Sequence, residues 1–351
     1  MRRPKQQTLD IEAKWWRSKN GKILCELCPR YCKIGEGQPG FCFIRYNDAG
    51  VLMTRGFGRS TGFALDPIEK KPLYHVMPGK KILSFGTAGC NMGCMFCQNW
   101  DISKAKDDER ISVPMDTREI VERAYELKLK NGNAGLAFTY NEPTIWAEWA
   151  YELARMAKQY GLISVMVTNG YITKQVVKEL YPLIDAANID LKSFTEKFYF
   201  KITLSHLKPV LDAIGWIKNE GTWVELTTLI IPGENDSEKE LKELCKWVIE
   251  HCGDETPVHF TAFHPDYKML DRPGTPFQTL LKAYNIGKSA GLKYVYTGNV
   301  SDASTGSTYC PNCSKLLVER NWYDVGIRGL AGNKCSGCGC EIKGIFANSS
   351  D

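Results

Sequence analysis

The stretch Phe85-Gly-Thr-Ala-Gly-Cys90-Asn-Met-Gly-Cys94-Met-Phe96-Cys97-Gln-Asn-Trp100 constrains this chain more than any other. Cys90, Cys94 and Cys97 fall within eight residues, just after the apolar run Ile82-Leu83-Ser84-Phe85. Thiolates so spaced can converge from one tight loop, and soft sulfur ligands select zinc or iron–sulfur clusters. Three protein ligands on a four-iron cluster leave one iron open, and an open position separates a reactive metal site from a structural one. The alternative is a zinc site completed by a distant fourth ligand, because Cys-x2-Cys also serves zinc.

Two further cysteine groups flank this loop. Cys25, Cys28, Cys32 and Cys42 lie in a turn-rich segment with glycines at 35, 37 and 40 and Pro39. So small a module cannot bury a self-sufficient core, and a metal is the expected source of its order. Four cysteines can fill a tetrahedral zinc site, usually structural, or hold an auxiliary iron–sulfur cluster. Near the other end, Cys310-Pro-Asn-Cys313 and Cys335-Ser-Gly-Cys338-Gly-Cys340 stand 21 residues apart. Two such knuckles form a zinc-ribbon pattern, with Cys340 as an alternative ligand to Cys338. No dense basic or aromatic stripe accompanies them, so a structural cap or docking surface is expected rather than a nucleic-acid interface.

Twelve of the fourteen cysteines belong to these groups, and the two outside them, Cys245 and Cys252, read as buried apolar residues of a helix. Clustered Cys-x2-Cys in a chain of 351 residues points to metal binding in a reducing compartment rather than to disulfides. The net charge of +5 is mild and spread along the chain, which argues against nucleic acid or membrane partners. The first residues, Met1-Arg-Arg-Pro-Lys-Gln-Gln, lack an apolar leader, and no run approaches the ~20 apolar residues of a membrane span. A cytoplasmic protein is expected.

From Lys81 to about Thr297 strand-like runs alternate with helical ones. The strands are expected at 81–86, 134–139, 162–168, 186–191, 223–230, 257–262 and 292–296. Amphipathic helices are expected at 116–130, 144–160, 236–251 and 276–290, capped in two cases by Asp116 and Asp236. Such alternation implies parallel strands with helical crossovers. Nearly every strand hands over to polar, Gly- or Pro-bearing residues, as in a barrel whose C-terminal face carries the site. A doubly wound sheet would gather such loops at one switch point. The fold class is therefore α/β, a partial (β/α)6-type barrel spanning 80–300. It follows an N-terminal Cys-rich module and lead-in (1–79) and precedes a zinc-ribbon-like module (301–351). Within the lead-in, His75 reads as a hydrogen-bonded structural histidine.

The cysteine loop is followed in order by Thr139-Tyr-Asn-Glu-Pro-Thr-Ile-Trp146, Val167-Thr-Asn-Gly-Tyr171 and Asn188-Ile-Asp-Leu-Lys-Ser-Phe194. Trp223-Val-Glu-Leu-Thr-Thr-Leu-Ile-Ile-Pro-Gly-Glu-Asn-Asp236, Pro257-Val-His-Phe-Thr-Ala-Phe-His-Pro-Asp-Tyr267 and Gly291-Leu-Lys-Tyr-Val-Tyr-Thr-Gly-Asn299 complete the series. This ordered set resembles the radical S-adenosylmethionine (radical SAM) enzymes related to pyruvate formate-lyase activating enzymes. Within that branch it most resembles the radical SAM enzyme of the AmmeMemoRadiSam system.

The resemblance implies a [4Fe-4S] cluster on Cys90, Cys94 and Cys97, with S-adenosylmethionine chelating the open iron. One-electron reduction would release a 5′-deoxyadenosyl radical that abstracts hydrogen from an unidentified substrate, making the chain a radical SAM oxidoreductase. By the same resemblance Phe96, Tyr140, Asn141, Glu142, Thr168, Asn169, Asp190, Lys192 and His264 would contact the cofactor. A ferredoxin- or flavodoxin-type electron donor is implied, and AMMECR1-like and Memo-like proteins are the implied partners. Val167 departs from the aspartate of the activating enzymes, and Lys201-Ile-Thr-Leu-Ser-His-Leu207 lacks the cysteine and glycine expected there. Activation of a glycyl-radical enzyme is one alternative. A non-catalytic zinc-binding interaction protein is another, which leaves the ordered strand-end motifs unexplained.

Overall fold

The computed structural model describes residues 10–105 and 112–346. The leader-free reading of residues 1–7 and the last residues of the C-terminal module therefore lie outside the described chain. Eight strands form the central sheet: β1 (Phe63–Pro67), β2 (Lys81–Phe85), β3 (Asn133–Phe138), β4 (Ile163–Thr168), β5 (Ala186–Asp190), β6 (Trp223–Ile230), β7 (Val258–Ala262) and β8 (Val295–Gly298). Their spatial order is their sequence order, β1 through β8. From β2 to β8 every pair is parallel, whereas β1 runs antiparallel against β2.

Between the parallel strands run α1 (Thr117–Asn131), α2 (Ala147–Gln159), α3 (Lys174–Leu180), α4 (Leu207–Asn219), α5 (Glu238–Cys252) and α6 (Phe277–Ala290). An order that never reverses has no switch point, so the sheet winds one way into an open barrel. This is the expected α/β architecture, with six strand–helix units and a seventh parallel strand. The antiparallel β1 comes from the stretch read as N-terminal lead-in, where Phe63-Ala-Leu-Asp-Pro is too short to signal a strand by alternation.

The crossover helices form where caps and apolar periodicity agree. The Asp116 carboxylate accepts from the amides of Arg118 and Glu119, and α1 ends at Gly132 in the left-handed region. α5 starts one residue later than expected: Ser237 caps it, because the Asp236 carboxylate is used by Gly233 N at 3.0 Å. Cys245 and Cys252 are buried on α5, as expected of apolar residues. No helix among the described residues is long and apolar enough to cross a membrane.

The segment between β1 and β2 closes the barrel at the N-terminal ends of its strands. The Glu225 carboxylate, fully buried on β6, accepts from Tyr74 N (3.0 Å), His75 N (2.8 Å) and His259 Nε2 (2.7 Å). Asn188 on β5 donates to Pro72 O at 2.7 Å. The C-terminal module packs onto the same segment: buried Arg320 donates to Tyr74 O (2.7 Å) and lies over the Tyr74 ring. His75 meets Lys343 O through Nδ1 and Tyr296 Oη through Nε2, both at 2.8 Å, so it is the structural histidine the sequence suggested.

Burial pushes the His75 pKa down to about 4, against about 6.5 in an unfolded chain. As pH falls the unfolded state takes up this proton first. The contribution is complete above about pH 6.5 and disappears as pH falls toward about 4, worth on the order of 3 kcal/mol. Urea unfolding of His75→Gln should therefore lose stability less steeply than wild type across that window. Parallel profiles would remove His75 as the cause.

Candidate active site and metal centres

The loop after β2 has no regular secondary structure, and its shape is set by groups from elsewhere in the chain. Asn141, just beyond β3, accepts from Thr87 N at 3.1 Å and donates to Gly89 O at 2.9 Å. Gly93 N donates to Thr203 O (2.8 Å), Met95 N to Ile202 O (3.0 Å), and Lys268 N to Met95 O (2.9 Å). Lys104 Nζ closes on Met92 O at 2.7 Å. Residues Tyr199–Thr203 make a π-helical turn ending at Leu204 with φ +52, and a Cβ on Gly93 would meet the Leu204 side chain at 2.6 Å. The 201–207 segment, where the sequence departs from its resemblance, is thus the clamp on the cysteine loop.

The clamped loop turns Cys90, Cys94, Phe96 and Cys97 into a cavity of ≈ 480 Å³, shared with Tyr140, Asn141, Glu142, Thr168, Asn169, Asp190 and Lys192. These come from the C-terminal ends of β3, β4 and β5, the face where barrel enzymes build sites. Eleven of the twelve residues read from sequence as cluster ligands or cofactor contacts therefore meet in one place. His264 does not. It is exposed, its Nδ1 faces Pro265 O at 3.0 Å, and it is absent from the cavity lining. The polar run after β7 turns outward because Thr275 Oγ1 accepts from Phe263 N at 2.9 Å.

Glu142 joins neighbouring strand ends. Its carboxylate accepts from Thr144 N (3.0 Å), Thr168 Oγ1 (2.6 Å) and Asn169 N (2.8 Å). Burial raises its pKa, while these three donors oppose the rise. A carboxylate has about four acceptor positions, so one more donor can be received. Lys192 Nζ lies 2.7 Å from Asp190 Oδ2 and 5.8 Å from the Phe96 ring centroid. Burial opposes its charge, but the Asp190 carboxylate raises its pKa above the ordinary lysine value.

The sequence reading missed a second pair. Asp66 on β1 accepts from Lys71 Nζ (2.6 Å), Lys70 Nζ (3.0 Å) and Tyr140 Oη (2.7 Å). Lys70, Lys71 and Tyr140 all line the cavity. Burial opposes the Asp66 charge, yet hydrogen bonds from Lys71 and Tyr140 hold its carboxyl down at about 2. Burial pushes Lys71 below the usual lysine range. Tyr140 holds φ +70, a conformation costly for a tyrosine and sustained by its fixed hydroxyl. The charges of Asp66-Pro-Ile-Glu-Lys-Lys-Pro72 were the available signal, and they read as part of an extended lead-in to the first strand.

The donor set suits the implied cluster. Cys90, Cys94 and Cys97 face one cavity, but no three of their ligand atoms, with or without a carboxylate or histidine, gather as tightly as one ion requires. Sulfurs spread around a common space fit a group with several iron atoms. Burial pushes the Cys90 and Cys94 thiols up, so bare thiolates are disfavoured and a metal bound there must displace their protons.

At the C-terminal end Cys310 Sγ and Cys338 Sγ lie 3.6 Å apart, as do Cys313 Sγ and Cys335 Sγ. All four sulfurs fall within 4.8 Å of one another, a closed single-ion geometry. Cys340 Sγ instead faces Glu341 O at 3.6 Å, which leaves Cys338 as the fourth member. Cys25, Cys28, Cys32 and Cys42 line one small pocket in the N-terminal module. None of the fourteen cysteines is in a disulfide. For the C-terminal site, Cys313→Ser should lower the metal content by about one ion per chain while Cys340→Ser leaves it unchanged. Elemental analysis giving the reverse would displace Cys338.

Residues 85–245, from the cysteine loop through β6 into α5, match the radical SAM superfamily. The chain is 43% identical over 325 residues to the uncharacterized protein MJ0808 of Methanocaldococcus jannaschii, covering 92% of this chain and 96% of that one. It is 22% identical over 189 residues to the pyruvate formate-lyase 1-activating enzyme of Escherichia coli K12, covering 53% and 75%. The structure of Streptococcus suis SuiB bound to precursor peptide SuiA aligns with TM-score 0.49 and 15% identity, covering 66% of this chain and 51% of that one. This chain belongs to one family with MJ0808, carries a radical SAM domain over residues 85–245 and is homologous to the pyruvate formate-lyase activating enzymes.

Proposed function

We propose that the chain is an oxidoreductase that reductively cleaves S-adenosylmethionine and uses the resulting radical to take hydrogen from a substrate. The observation that carries this reading is one cavity holding three thiols on one wall and an anion-neutralising lysine on another. A [4Fe-4S] cluster with an open iron supplies the electron and the chelation point for the methionine end of the cofactor.

The chain's own residues do the rest. Cys90, Cys94 and Cys97 supply the thiolates. Glu142 has one acceptor position left for an ammonium group, and Thr168 and Asn169 are held in register by its other bonds. Lys192, kept cationic beside Asp190, can neutralise a carboxylate. Phe96, 5% exposed and packed on Phe198, offers backbone or ring to an adenine. His264 would have to swing inward to contribute.

The ordered motifs support a narrower assignment to the AmmeMemoRadiSam system, with AMMECR1-like and Memo-like partners and a ferredoxin- or flavodoxin-type donor. Fourteen free cysteines fit a cytoplasmic setting. A second reading, activation of a glycyl-radical enzyme, is favoured by the likeness to the E. coli activating enzyme.

Anaerobic reconstitution with iron and sulfide, then dithionite and S-adenosylmethionine, should yield 5′-deoxyadenosine in wild type and none in Cys94→Ala. Lys192→Met should keep its iron but slow cleavage by on the order of 10- to 100-fold, the worth of a charge-assisted contact of ~1.5–3 kcal/mol. No product from iron-loaded wild type would sink the proposal. Full activity in Lys192→Met would remove only the role given to that lysine.

A further inference from the structure

We propose that Cys25, Cys28, Cys32 and Cys42 hold a second iron–sulfur cluster rather than a zinc ion. The argument begins with a comparison inside one chain. Zinc binds thiolates at about 2.3 Å, which for a tetrahedron sets the sulfurs about 3.8 Å apart. The C-terminal four obey that limit, with 3.6 Å between Cys310 and Cys338 and 3.6 Å between Cys313 and Cys335. Among the described residues they are the only such group within 4.8 Å of one another. The N-terminal four are not so gathered, although all four line the same pocket. In this they match Cys90, Cys94 and Cys97, the ligands of a group larger than one ion.

The pocket that these four cysteines line keeps a void of ≈ 10 Å³, about the size of one water-sized sphere. Leu27, Ile34 and Ile145 form much of the remaining wall, so a water there would find few partners.

A third observation concerns Arg45, which lines this pocket and is 1% exposed. Its Nη1 lies 2.9 Å from Glu148 Oε1, and Nη2 donates to Lys14 O. Its buried Nε has no hydrogen-bond partner among the described residues. An orphan guanidinium N–H beside four cysteines is matched to anionic sulfur, and such donors tune iron–sulfur sites.

The site also adjoins the reaction cavity. Asn91, next to Cys90, lines the N-terminal pocket, and its carbonyl accepts from Arg30, which stands between Cys28 and Cys32. Asn169 Nδ2 donates to Asn91 Oδ1 at 2.9 Å and lies 3.9 Å from Cys90 Sγ. Neighbouring residues, Asn91 and Cys90, thus line the two sulfur sites. Zinc there would be redox-silent, whereas an iron–sulfur cluster is a one-electron centre.

This inference rests on the three-cysteine site only for its comparison, and its test does not read S-adenosylmethionine cleavage. The full-length triple variant Cys90→Ala, Cys94→Ala, Cys97→Ala is reconstituted anaerobically and assayed for iron, sulfide and zinc. It is also examined by electron paramagnetic resonance after dithionite reduction. It should keep about four irons and four sulfides per chain and a reduced-cluster signal, with about one zinc. Adding Cys28→Ser and Cys32→Ser should abolish both iron and signal. Reconstituted wild type should hold twice the iron of Cys28→Ser, Cys32→Ser, which decides the matter if the triple variant fails to fold. Wild type with about four irons and about two zincs, or a folded triple variant with zinc alone, would overturn the proposal.

Discussion

Irregular backbone can be buried only if its amides and carbonyls find partners, and the loop from Gly86 to Asn99 sits under that constraint. The partners are supplied from three other places: the Asn141 side chain, the π-helical turn at 199–203, and Lys268 beyond β7. Each belongs to a different strand end, so the barrel must close around the loop before the three sulfurs can face one cavity. Gly93 shows how little room is left, since any side chain there would strike Leu204. The positions of the thiols are thus a property of the whole barrel, not of the cysteine motif.

The charges in the cavity follow a related logic. An ammonium or carboxylate buried singly is costly, and its partner sets the charge state it keeps. Lys192 stays cationic because Asp190 touches it, and Asp66 stays anionic because Lys71 and Tyr140 donate to it. Two fixed pairs thus reach the cavity that the sulfurs line and make part of its surface polar and preorganised. The second pair is brought in by β1 and the segment after it, which also plugs the lower end of the barrel through Glu225 and His75. Cavity lining and structural closure therefore share one piece of chain.

Three sulfur sites coexist here with two spacings. The C-terminal knuckles close to single-ion distances, while the other two sets stand open around a common space. Ligand identity does not separate them, because all are cysteines in short loops. Geometry differs, since among the described residues only the C-terminal four gather within 4.8 Å of one another. The Cys-x2-Cys-x3-Cys spacing at the N-terminus reads first as zinc and second as a cluster, and the arrangement in space is what bears on the choice.

Sequence alone determined the alternation of strands and helices, the open barrel, the three cysteine groups and eleven of the residues that line the cavity. Glu142, Thr168 and Asp190 were legible as polar residues at the strand ends where barrel enzymes build sites, and their cofactor role was implied by the family resemblance. Ligand spacing is local too, and short range in sequence is short range in space. Asp66, Lys71 and Arg45 were not legible, because each acts through a contact with another part of the chain: Tyr140, the cavity or Glu148. His264 sat in the right strand-end register, yet the turn after β7 leads it outward. Tertiary structure decided these cases, because burial and orientation depend on which distant surface a side chain packs against.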